Sequence, residues 1–265
     1  AITAFNRKPA DAQCLGVELI ISDSLHADFI TISEVKSMLK QQQLTPDGEL
    51  LSSISTDSLE QVLGKHPLID QVECYKTPSG NICVEVAQRI PIMRIMSNNG
   101  ENYYLDNKGM LMPSNTKCNA YLPVATGNIN KSFATKELHN FALFLQKDRF
   151  WNSQIEQIHV LNNQTVELVP RVGSHTIYLG KLTQVENKLE RVKQFYKKAL
   201  NQVGWNKYSR INVEFGNQIV CTKTNNSKEE LIHNYMATKD FIAAIELSSS
   251  KIAGIAGKKN YDGSL

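Results

Sequence analysis

No apolar run in the chain approaches the roughly 20 residues a helix needs to cross a bilayer. Charge of one sign is also missing. Lysine and arginine number 29 against 26 acidic residues, a net +3, and no basic stripe interleaved with aromatics is present, so nucleic acid is not an expected partner. The five cysteines (Cys14, Cys74, Cys83, Cys118, Cys221) are odd in number and lack C-x-x-C spacing, which argues against a disulfide framework or a zinc site. Packing roles are expected for most of them. The six histidines are scattered, with no H-E-x-x-H, and there is no G-x-S-x-G elbow. Asp57, Glu60, Asp70 and Glu73 fall at helix starts and on exposed strand faces, where solvation accounts for them. No catalytic residue, metal or cofactor is expected.

What is present is ordinary in bulk and specific in pattern. The 265 residues, 42% apolar and 21% charged, suit two modest globular domains. The stretch 64–95 organises them. Pro67 stops a helix, because proline cannot donate to the helical ladder. Pro78-Ser79-Gly80 then separates two runs rich in β-branched residues, which predicts a hairpin. A three-residue loop puts Val72 and Cys74 on one face with Ile82, Val84 and Val86. Glu73, Tyr75, Cys83 and Glu85 take the other, so Cys74 and Cys83 do not face each other. A slip of one residue would bury Glu85 beside Val72 or Cys74. Gly80 is expected in the left-handed position of that loop. Pro91 then ends pairing on its side and hands the chain to a new sheet.

Ahead of this hairpin, residues up to about Cys14 read as a linker and 16–21 as a first strand. Thr31 and Glu34 have capping-box spacing, with Ile30 and Val35 as a hydrophobic staple. The helix they start carries Val35, Met38 and Leu39 on one face. Pro46-Asp47-Gly48 is a turn, and Leu59, Val62 and Leu63 mark a second helix from about Thr56 or Asp57. Beyond Pro91, 92–95 is a strand, Asn98-Asn99-Gly100 a turn and 103–111 a second hairpin. Leu138, Phe141, Ala142 and Leu145 share one helical face, and three strands follow at 155–161, 165–170 and 175–179. The last helix bears Leu182, Val185, Leu189, Val192, Tyr196 and Val203. Lys188, Arg191, Lys193, Lys197 and Lys198 lie around the rest and read as a solvated face rather than a surface for an acidic partner or a membrane. The runs 211–215 and 218–222, joined at Gly216-Asn217, close the series.

The order strand, helix, helix, strand, strand, with His66-Pro67-Leu68-Ile69 as the helix stop and Arg89-Ile90-Pro91 as the exit, resembles a POTRA domain of the bacterial division family FtsQ/DivIB. The bland alternative is another small α+β module. Tyr103-Tyr104-Leu105-Asp106 with Gly109 resembles that family's Y-L-V-D signature. Leu122-Pro123-Val124 through Gly127 resembles its L-P…G, and the run from His175 to Lys181 its approach to the last helix. The closing hairpin is similar to the family's final one, with Asn212 and Glu214 in place of the usual Asp and Arg. The resemblance spans 15–223. It implies an α+β protein: a juxtamembrane linker at 1–14, a POTRA domain (β-α-α-β-β) over 15–90, and a mixed α/β "β-domain" over 91–223 ending in a strand hairpin. A tail, 224–265, belongs to neither domain.

The family consists of scaffolds, so the resemblance implies a non-enzymatic role in septum formation, with this region in the periplasm and one span in the inner membrane. Ala1 to Phe5 fits the last turn of such a span, although Arg7-Lys8 favours a cytoplasmic flank. Implied partners are FtsB (DivIC in other bacteria), FtsL and membrane-embedded division components. FtsB is placed at the closing hairpin. Phe215 and Asn217 are the contact residues, and Ile219, Val220, Cys221 and Thr222 supply backbone pairing to an added strand. Glu60 belongs to a second docking surface, on the helix that precedes the first hairpin. Rival functions are a POTRA-bearing protein of outer-membrane assembly or secretion, or a fragment of an actin-like nucleotide-binding protein. The last arises from the tail. Its run from Asp240 to Gly257 resembles the nucleotide-contacting hairpin at the start of FtsA, with Glu246 in the acidic position and Ser248 where glycine is common. The segment 254–259 lacks Walker A spacing. Met236 sits where such a protein would begin, so the tail reads as a fused frame or a deliberate fusion behind a spacer at 225–235, the alternative being a native tail that completes the β-domain core. Its strands should stay without order or pair with an exposed edge, that of the closing hairpin being nearest.

Overall fold

The computed structural model describes residues 12–22, 29–114 and 122–224, with the backbone of Phe241–Leu247 and Ile252–Lys258. The expectations for Ala1 to Phe5, Arg7-Lys8, Cys118, 225–235, Met236 and Ser248 lie outside the described residues. The chain is mixed α+β and divides into two units, Ala1–Pro91 with Asp106–Tyr121 and Ile92–Leu105 with Leu122–Leu265. Among the described residues no helix is long and apolar enough to cross a membrane.

In the first unit the local signals set the element ends. β1 (Val17–Ser22) precedes α1 (Ile32–Gln41), whose capping box forms: the Glu34 N–H donates to Thr31 Oγ1 at 3.3 Å and the Thr31 N–H to Glu34 Oε2 at 2.8 Å. Ser55 caps α2 (Thr56–Leu63), and β2 (Ile69–Lys76) and β3 (Ile82–Gln88) form the hairpin. The strand order is β1-β3-β2, with β1 parallel and β2 antiparallel to β3. Val72 pairs with Val86, Cys74 with Val84, Glu73 with Glu85 and Tyr75 with Cys83, the register argued from the faces. Gly80 has φ +93°, where a side chain would be strained. Val35, Leu39, Leu59, Leu63, Ile82, Val84 and Val86 form the core with Cys14.

Polar side chains complete this unit in ways periodicity does not announce. Gln88 Oε1 accepts from the buried N–H groups of Phe29 (2.9 Å) and Ile30 (3.0 Å), fixing the chain's entry into α1. Residues 12–14, assigned to the linker from sequence, are part of the fold. The Leu51 N–H donates to Ala12 O, the Cys14 N–H donates to Glu49 O, and the Cys14 side chain is 3% exposed. Asp70 is likewise not merely solvated. Lys108 Nζ lies 2.7 Å from its carboxylate and Arg89 3.8 Å from it. Arg89 also donates to buried Asp106 at 2.9 Å, and Asp106 Oδ1 accepts from the N–H groups of Lys108 (2.9 Å) and Met110 (2.7 Å), closing the turn around Gly109.

β4 (Pro91–Ser97), β5 (Asn102–Asp106) and the short β6 (Leu111–Pro113) follow, then β7 (Val124–Gly127). Asn130 caps a continuous helical run made of α3 (Lys131–Phe133), a π-helical turn (Ala134–Leu138) and α4 (His139–Lys147). Asp148 caps α5 (Arg149–Gln154), which leads into β8 (Ile155–Val160), β9 (Val166–Pro170) and β10 (Thr176–Gly180). A second helical run joins α6 (Val185–Phe195), a π-helical turn (Tyr196–Leu200) and α7 (Asn201–Val203), before β11 (Tyr208–Asn212) and β12 (Gln218–Lys223). Last come β13 (Phe241–Leu247) and β14 (Ile252–Lys258). The strands of the second unit run β14-β13-β12-β11-β10-β9-β8-β7-β4-β5.

Two local features decide this unit. Gly127 has φ +104°, and a Cβ there would lie 2.1 Å from Val160 O on the paired strand, so only glycine fits. The π turn after Phe195 inserts extra residues per turn and shifts the phase of the helix. Val203, beyond that turn, is 42% exposed, whereas Phe195, absent from the expected stripe, precedes it and is fully buried three residues after Val192 on the same face.

His175, just before β10, is 2% exposed, and its Nε2 lies 2.7 Å from the Tyr196 hydroxyl with Trp205 beside the ring. Burial pushes its pKa down from 6.5 to about 4. The folded state therefore refuses a proton that the unfolded chain accepts, so stability present above pH 6.5 is lost as pH falls toward 4. The loss amounts to about 3 kcal/mol at 1.36 kcal/mol per pKa unit. Urea unfolding across this window should show a steeper acid loss in the parent protein than in His175→Gln. Equal slopes would mean that His175 titrates normally in the fold.

Candidate functional site

The closing hairpin is built from the helix behind it. β11 and β12 pair antiparallel, with Arg210 opposite Thr222, Ile211 opposite Cys221 and Asn212 opposite Val220. The five residues between the strands, Val213 to Asn217, have no ladder of their own, and their carbonyls need donors. Arg191 supplies them. Its Nη2 donates to Val213 O at 2.8 Å, and its Nη1 donates to Gln218 O at 3.0 Å and to Phe215 O. The planar guanidinium matches this set as a single rigid fork. Asn212 Oδ1 accepts from the Glu214 N–H at 2.9 Å, and the Val213 N–H donates to Tyr178 O at 3.0 Å.

Lys188, one turn earlier on α6, is 6% exposed and donates to Leu179 O (2.9 Å) and Lys181 O (2.8 Å) at the end of β10. Burial lowers its pKa, Glu214 opposes that shift and Arg191 adds to it. These two cations, read from sequence as part of a solvated face, are instead tethers between the helix and the sheet. A signal existed for Lys188: it lies three residues after Val185 and four before Val192, on the apolar stripe itself.

The expected contact residues fall into three groups. Phe215 is 48% exposed and Asn217 is exposed, both on the tethered turn, so a core role for Phe215 is excluded. Ile219 and Cys221 are fully buried, and burial raises the Cys221 thiol to about 12, so it stays protonated. Val220 is half-buried and Thr222 exposed on the other face of β12. β13 lies antiparallel on the side of β12 away from β11, pairing Gln218 with Glu246 through Thr222 with Ile242. Glu60, in the first unit, is half-buried, and its Oε1 accepts from the Cys74 N–H at 2.7 Å. It fastens α2 to β2, which corrects its reading as a free surface charge. A lysine at position 60 would remove that acceptor and test the fold together with any docking.

This is a POTRA-like unit of β-α-α-β-β order followed by a sheet-rich unit that ends in a tethered hairpin. Profile comparison bears this out: the POTRA-like domain matches residues 12–87, and the family described as FtsQ/DivIB, C-terminal related, matches residues 90–222. The chain belongs to the FtsQ/DivIB family of cell-division proteins. It is also similar to the "Cell division protein FtsQ" of Geotalea daltonii, 23% identical over 209 residues that cover 73% of this chain and 74% of that one.

Replacing Arg191 tests the tether directly. Arg191→Met should cost on the order of 2 kcal/mol, since hydrogen bonds to a charged group are lost while the turn carbonyls regain only water. Amide exchange should quicken across 213–218 and leave the first unit unchanged. Unaltered exchange at the turn would show that the hairpin is held by its strands alone.

Proposed function

We propose that the chain is a non-enzymatic scaffold of the division machinery, anchored in the inner membrane and acting in the periplasm. It holds partners by docking and strand addition. The observation that carries this reading is Phe215. A large aromatic ring stands half in water on a turn whose backbone is tied to α6, which displays an anchor at little entropic cost on binding. By family resemblance its partner is FtsB or DivIC, with Asn217 beside it and β12 supplying backbone. FtsL and membrane-embedded division components complete the set. α2 forms a second docking surface through exposed Asp57 and Gln61, with Glu60 behind them as a positioning residue.

Phe215→Ala should weaken binding of an FtsB or DivIC carboxy-terminal fragment by roughly 30-fold, the equivalent of about 2 kcal/mol, with no change in melting temperature. Titration calorimetry beside a thermal melt measures both. Undiminished affinity in the folded variant would remove Phe215 from the interface. For the first unit, the pair Asp57→Lys and Gln61→Lys should reduce recruitment to the division site without lowering stability. Normal recruitment would leave this unit as a spacer.

A further inference from the structure

β12 is an edge strand of the second unit but for one neighbour, the chain's own β13. The FtsQ/DivIB match ends at residue 222, inside β12, so β13 and β14 lie beyond the region this chain shares with the family model. Among the described residues, β13 and β14 pair with each other and, through β13, with β12. A two-stranded hairpin by itself is marginal in water. Its order therefore comes from the edge it occupies, and five consecutive residues of β12, Gln218 to Thr222, are paired with it.

We propose that the tail hairpin is a reversible cis occupant of the β12 edge, a built-in competitor for any strand that docks there. Covalent attachment through residues 225–240 presents β13 at an effective concentration in the millimolar range. A strand that binds in trans with a Kd below about 1 mM thus keeps the edge mostly filled. The competition rests on the docking role proposed above for the hairpin, but the cis occupancy does not. The edge accepts an extended strand through backbone groups, with little demand on side chains. That tolerance lets an unrelated segment fill it.

The test is amide exchange at the Gln218–Thr222 groups that point away from β11, in the full chain and in Ala244→Pro. Ala244 lies opposite Val220, and proline there removes a donor and distorts the ladder. Exchange at these amides should quicken on the order of tenfold in the variant. A chain ending at Thr224 should show the same quickening, and a synthetic peptide of residues 239–260 added to it should restore protection. Equal exchange in the full chain and the proline variant overturns the proposal, as does a peptide that protects nothing. A chain ending at Thr224 that fails to fold also overturns it, since β13 would then be a core strand. If the exchange differences hold while Phe215→Ala leaves partner affinity intact, cis occupancy stands and the docking role falls.

Discussion

The guanidinium of Arg191 is the contact on which the functional end of the second unit depends. A five-residue connection between β11 and β12 cannot satisfy its own carbonyls, and in water it would sample many shapes. One planar cation on α6 meets Val213, Phe215 and Gln218 together. The helix can offer it because Leu189 and Val192 on either side are fully buried and hold that turn of α6 in place. Lys188 repeats the device on the carbonyls that end β10. Desolvating these cations is costly, and the backbone acceptors offset that cost only in this geometry. The result is a turn tied by its backbone to α6, with Phe215 48% exposed upon it.

The first unit follows the same rule with different residues. Gln88 accepts from two N–H groups ahead of α1, Glu60 accepts from the backbone of β2, and Asp106 closes its own turn while Arg89 neutralises it. In each case a polar side chain completes backbone groups at the end of an element, where no ladder reaches. A protein that works as a scaffold needs its surfaces fixed beforehand, because every degree of freedom frozen on docking subtracts from affinity. Docking of the kind proposed, at a loop tip and a strand edge, would gain directly from such tethers.

Much of this was legible in the residues. The register of the first hairpin follows from a period of two and one three-residue loop, since a loop one residue longer or shorter puts Glu85 in the core. The capping box at Thr31 and the helical face of Leu138 to Leu145 were equally local. The candidate site was legible in part. The position of Asn217 on the turn follows from the hairpin, whereas Phe215, expected at the end of a strand over 211–215, falls on the turn because β11 ends at Asn212, and the burial of Ile219 and Cys221 follows only once the inner face of β12 is known.

The chain's own pattern thus determined the register of the first hairpin, the main helical faces and the class of fold, because each rests on contacts within a few residues or on a strict period, whereas β7 and α5 were not foreseen. Only the tertiary structure decided what the polar residues do. Whether a lysine on a helix is solvated or tethered depends on where carbonyls from a strand many residues away come to lie. The same holds for Glu60 and for residues 12–14, while for β12 the structure decided between the two outcomes left open for the tail by seating β13 on its edge. A carbonyl without a partner, or a strand with a bare edge, is a property of assembled backbone, and no local run of residues encodes it.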